Sequence, residues 1–259
     1  MTAILIRTTV ATLVAFAGAG VGVVVGGRAK ARLPILVNGA LGALLGIAVL
    51  EMIPDAQEQL HSAPLVAAGL ASGYLLFWLI GKYVYPVCPA CSLEQMEHRP
   101  EILGRALVLM MIALGVHSTM DGAAVVIGDE IKGHINIPVF FAISFHKFPE
   151  GMALALLLIG GGYRRLAAFF WTIGIEATTE LGALIALFFV RGMSPLWLGL
   201  TFASIGGGFF YLVQNTLTNR HTTHEGCEEG HSLKSRLLAG GVAFALTGLL
   251  IFVSQQFER

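Results

Sequence analysis

Eight apolar runs, each about as long as a bilayer is thick, constrain this chain more than any other feature. They cover residues 8–27, 33–50, 62–81, 106–128, 135–159, 166–190, 195–217 and 237–252. A helix needs about 20 apolar residues to cross the hydrocarbon core. Only helices and closed barrels satisfy their backbone N–H and C=O groups there. With 56% hydrophobic and 12% charged residues and a mean hydropathy of +0.77, too little polar surface remains to cover a water-soluble domain of this size. The 32 glycines fit membrane helices, which tolerate Gly better than soluble ones do. The fold expected is all-α: a polytopic membrane protein with eight transmembrane helices in one bundle. No linker or low-complexity segment divides the chain, so residues 1–259 read as one transmembrane domain.

The first run competes with a signal peptide, whose positive region precedes its apolar core. Here most of the charge follows, in Arg28, Lys30 and Arg32, so a retained span with its N-terminus outside is expected. Eight spans then put the C-terminus outside as well. In that arrangement the inner segments hold Arg28, Lys30, Arg32, Lys82, Arg99, Arg105, Arg164, Arg165, Arg220, Lys234 and Arg236, whereas Arg7, Lys132, Arg191 and Arg259 lie outside. Eleven inside against four outside, with Lys147 within a span completing the 16, agrees with the positive-inside rule. The outer connections carry acids instead: Asp55, Glu58, Asp129 and Glu130. The zero formal net charge offers no electrostatic footprint for a nucleic acid. Three cysteines are too few for a disulfide framework.

Runs four and five hold residues that are expensive at membrane depth and functional by default. Run four carries His117, Ser118, Asp121 and Gly122; run five carries His146, Lys147, Pro149, Glu150 and Gly151. Both follow one spacing, with His at zero, a carboxylate at plus four, Gly at plus five and Ala (Ala124, Ala153) at plus seven. Four residues advance a helix by about 400°, so each His lies about 40° from its carboxylate on one face. The residue after each His lies about 100° round, which sets Asp121 between His117 and Ser118, and Glu150 between His146 and Lys147. If the two faces meet, two imidazoles and two carboxylates converge, a donor set suited to a borderline divalent ion such as zinc. In run six Glu176 and Glu180 share a face. Glu180 is a candidate ligand or proton acceptor, and Glu176 either takes part in function or pairs with Lys147. Glu51, near the outer end of run two, is an entrance ligand or a snorkelled interfacial acid. Pro54 is expected to end that run, and Pro149 to free the carbonyl of residue 145 and kink run five.

His117-Ser-Thr-Met-Asp121-Gly122 and His146-Lys-Phe-Pro-Glu150-Gly151 resemble the paired signatures of the fourth and fifth transmembrane helices of the ZIP family of divalent-metal transporters, bacterial-type. The order of spans, the polar segment before run four and Glu180-Leu-Gly182-Ala183 in run six are similar to that family too. The resemblance implies an eight-helix transporter, often a homodimer, that moves zinc into the cytosol, with iron, manganese or cadmium as other cargo. It also implies an integral protein of the bacterial inner membrane that has no prosthetic group and is not an enzyme. Carried over residue by residue, it makes His117, Asp121, His146 and Glu150 metal ligands and Glu180 a site carboxylate. The sequence departs at Ser118 and Lys147, where many members have an amide or carboxylate ligand of a second metal site. A protonated Lys cannot ligate a metal. A mononuclear site is therefore expected, with Lys147 in the second position.

The inner segments hold other metal candidates. Cys88-Pro-Ala-Cys91 with His98 precedes run four, and His221, His224, Cys227 and His231 precede run eight. Their spacings suit metal capture or sensing, and thiols stay reduced in a cytosol. The outer His61 and His134 are weaker candidates. Two other function classes compete with transport: an intramembrane zinc-dependent hydrolase, since zinc so held can activate water, and a metal sensor or receptor. Against the hydrolase, no HExxH motif is present, and Lys147 stands where that motif has its general base.

Overall fold

The computed structural model describes residues 2–25, 27–83, 103–218 and 233–257. Among them every regular element is helical. The elements are α1 (Thr2–Val25), α2 (Gly27–Ile47), a π-helical turn (Ala48–Met52), α3 (Ile53–Leu60), α4 (Ala63–Tyr83), α5 (Leu103–Lys132), α6 (Ile137–Gly160), α7 (Arg165–Glu176), α8 (Thr178–Phe189), a 3₁₀ turn (Val190–Gly192), α9 (Pro195–Thr218) and α10 (Leu233–Phe257). Among the described residues eight helices are long and apolar enough to cross a membrane, counting α2 with α3, and α7 with α8, as one each. The protein is an integral, multi-pass membrane protein.

Three boundaries differ from the sequence reading. The first span begins at Thr2, not Thr8, because Arg7 does not stand outside it: its guanidinium pairs with the Asp129 carboxylate of α5. The second continues past Pro54 to Leu60. Pro54 sits in the first turn of α3, just after the π turn, where a missing N–H is tolerated. The helix stops instead at His61, which adopts a left-handed conformation and donates its N–H to the Gln57 carbonyl. The fourth runs on through Asp129, Glu130 and Lys132, residues expected in an outer connection. Lys132 pairs there with Asp55 of α3 at 2.9 Å. α6 is continuous through Pro149.

The helices pack in pairs: α1 with α6, α2 with α10, α4 with α9, and α5 with α8. The α5–α8 pair shows what permits this. A Cβ at Gly122 would strike the Thr179 carbonyl, and one at Gly182 would strike the Thr119 carbonyl. Small residues that let backbones touch replace a hydrophobic driving force that lipid does not supply. Gly151 of α6 meets the Ala15 backbone of α1 in the same way. α6 is the most enclosed span, 78% buried over its core, whereas the last is 11% buried. Large apolar side chains such as Phe188 and Leu166 point outward, as a lipid-facing surface requires. α6, with α5 and α7 against it, thus carries its polar residues where lipid cannot reach them.

Candidate metal centre

Two adjoining helices supply the site. α6 is set at one end by Asn136, whose side chain accepts from the Val139 N–H at 3.1 Å and whose own N–H donates to Asp129 of α5 at 2.8 Å. α5 is fixed to the sixth span near the site, where that span breaks at Ala177 into α7 and α8. The Thr178 hydroxyl at the break donates to the Gly115 carbonyl, two residues before His117, at 2.9 Å.

His117 and Asp121 of α5 and His146 and Glu150 of α6 come together, with one ligand atom of each lying within 4.8 Å of all the others. The two imidazole Nε2 atoms are 3.0 Å apart. His146 Nε2 is 3.1 Å from Glu150 Oε2; His117 Nε2 is 3.7 Å from Asp121 Oδ2 and 3.9 Å from Glu150 Oε1. In a tetrahedral zinc shell with bonds of about 2.0–2.2 Å, neighbouring donors stand roughly 3.3–3.6 Å apart, a spacing that the separations just given bracket. His117, Asp121 and Glu150 are buried. The His146 side chain, at 13% exposure, is the most open of the four.

Lys147 lies beside this group, fully buried. Its ammonium is 2.8 Å from Asp121 Oδ2, 2.9 Å from Glu150 Oε2 and 3.1 Å from Glu176 Oε2, and it donates to the Ser118 hydroxyl at 2.8 Å. Each ligand carboxylate therefore borders both a His and the ammonium; for Glu150, between His146 and Lys147, this is the placement that the helical wheel gave. Of the two readings left open for Glu176, the ion pair with Lys147 is present. Asp121 Oδ1 has no hydrogen-bond partner among the described residues.

Glu180 stands apart from the four, with its Oε2 accepting from the Thr8 hydroxyl of α1 at 2.9 Å. Glu51 is 4% exposed in the π turn, so it is an enclosed group and not a snorkelled one. Cys88, Cys91, His98, His221, His224, Cys227 and His231 lie outside the described residues. The sequence reading missed Thr8, taken as the mere start of a span. It also missed Phe77 of α4, whose ring meets the His117 ring edge-on at 5.9 Å. Neither carries a local signal, since an apolar ring in an apolar run and a hydroxyl 172 positions from its partner look like ordinary packing.

Comparison with known proteins agrees with this chemistry. A family model described as ZIP Zinc transporter matches residues 89–253. The zinc transporter ZupT of Corynebacterium aurimucosum is 28% identical over 225 residues, which are 82% of this chain and 83% of that protein. The zinc transporter YKE4 of Saccharomyces cerevisiae is 22% identical over 171 residues, 61% of this chain and 48% of that longer protein.

Proposed function

This chain belongs to the ZIP zinc transporter family, and on that premise we propose that it carries zinc across the bacterial inner membrane toward the cytosol, one ion at a time. His117, Asp121, His146 and Glu150 hold the ion. One observation supports the reading above the rest: two imidazoles and two carboxylates on adjacent membrane helices offer four ligand atoms within 4.8 Å of one another. Ionisable groups at lipid depth are rare and mark ion pathways.

The single-ion stoichiometry rests on charge. With every carboxylate ionised, Asp121, Glu150 and Glu176 around the Lys147 ammonium leave two negative charges. One divalent ion cancels them, and a second would leave a buried surplus of two positive charges at a position where Lys147 offers no lone pair. Cadmium, iron(II) and manganese(II) share enough of this ligand preference to compete. Both curated relatives are named as transporters rather than as hydrolases or receptors.

The test is metal uptake by purified protein in sealed vesicles. Wild type should accumulate zinc in the lumen, and His146→Ala and Glu150→Ala should each lower uptake at least about tenfold, because even a group that only supports a ligand is worth 10–100-fold in metal affinity. Uptake should also fall as pH drops toward about 5, since imidazoles with a reference pKa near 6.5 must be neutral to ligate. Unchanged transport in both variants would discard the assignment.

A further inference from the structure

A histidine that binds metal through one ring nitrogen ordinarily donates its other N–H to a carboxylate, a carbonyl or a water, which fixes how the ring faces the ion. Among the described residues His117 has no such partner. Its Nε2 points into the four-ligand group, while its Nδ1 is buried with no hydrogen-bond partner among the described residues. What touches the ring instead is aromatic: the Phe77 ring at 5.9 Å and 88° and the His146 ring at 5.2 Å and 80°. Phe77 is 2% exposed. It belongs to α4, which packs along α9 and not along α5, so it reaches His117 from a different helix pair. Its ring is itself seated in α9, where a Cβ on Gly208 would lie 2.7 Å from Phe77 Cε2 and 2.8 Å from Cδ2.

We propose that Phe77, seated against Gly208, is the positioning residue for His117 and does by packing what a hydrogen-bond acceptor does for other metal-binding histidines. The proposal rests on the reading of His117 as a zinc ligand. It makes α4 and α9, which contribute no ligand to the four, part of the apparatus that sets zinc affinity. An edge-on ring fixes the imidazole plane without competing for its nitrogens.

The experiment is a cycle of zinc titrations by calorimetry on the purified full chain: wild type, Phe77→Leu, His117→Ala and the double variant, each with a zinc-free thermal melt. Leu keeps the site apolar and filled, so its fold should hold. Phe77→Leu should weaken zinc binding about tenfold, within the 10–100-fold range for groups that orient a ligand, and should have no further effect once His117 is Ala. Gly208→Ala, which crowds the Phe77 ring without touching His117, should weaken binding in the same direction. Wild-type affinity in both Phe77→Leu and Gly208→Ala would overturn the proposal. So would a Phe77→Leu loss of equal size in both backgrounds, the signature of a general packing role. A His117→Ala protein that binds zinc normally would instead defeat the underlying site assignment, and the proposal with it.

Discussion

The Lys147 ammonium touches the carboxylates of Asp121, Glu150 and Glu176 and the hydroxyl of Ser118 in a fully buried setting. A buried charge of this kind is tolerated only with partners, and removing one member of such a network costs about 3–5 kcal/mol. Lys147→Met should therefore yield a less stable protein. Lys147→Asn is the more informative change, since it exchanges a fixed cation for an amide oxygen able to ligate. Wild type soaked with cadmium should give one anomalous peak in the core, and Lys147→Asn two. Two well-occupied peaks in wild type, less than about 5 Å apart as in binuclear centres, would reverse the one-ion reading. Much of this neighbourhood is written in the sequence, because His117 to Asp121 and His146 to Glu150 are local spacings that a helix converts directly into shared faces. The Thr8 partner of Glu180 and the Phe77 partner of His117 are not. Both contacts join distant spans, and nothing in an apolar run marks which residue faces inward when every face is apolar.

At the scale of helices, the positions of eight spans were legible because length and hydropathy decide them, whereas their ends were not. Polar and charged residues near a membrane surface signal a connection to a sequence reader, yet Arg7, Asp55, Asp129 and Lys132 are helical and paired with one another across three helices. Pro54 failed as a stop signal for a related reason, since the π turn before it lets Pro fall at a helix start. Close packing sets another property at this scale. The carbonyl of Thr179 lies where a side chain on Gly122 would begin, and Gly182 meets Thr119 reciprocally. Gly122→Leu should drive α5 and α8 apart at a cost of about 1–3 kcal/mol or more, read as a lower thermal midpoint and weaker zinc uptake. Gly174→Leu, where an added Cβ meets nothing within 4 Å, should behave as wild type. Equal damage from the two would show that the backbone contact is unimportant.

For the molecule as a whole, the Lys and Arg asymmetry is the ground for the proposed orientation, and the ion pairs bear on it. Arg7 and Lys132, two of the cations assigned outside, are each matched by an acid, so the outer end carries little unbalanced positive charge. Both termini are then expected outside. In a chain freed of its three cysteines, Glu58→Cys should react with an impermeant maleimide added to right-side-out vesicles, and Arg165→Cys only after the vesicles are opened. The reverse pattern would invert the topology and with it the direction of transport. The ammonium fixed beside the carboxylates gives this orientation an electrical meaning. With every carboxylate ionised, the cluster of Lys147, Asp121, Glu150 and Glu176 would be neutral in the proposed one-zinc state and would hold two negative charges when vacated. In a transport cycle that carried that cluster from one side of the voltage drop to the other, the field would act on whatever net charge the cluster held. A membrane potential acts on each elementary charge with about 2.3 kcal/mol per 100 mV. In such a cycle an interior-negative voltage would be indifferent to the loaded site and would drive the vacated one back toward the outer face, so that the field would draw its work from the return stroke and not from the passage of zinc.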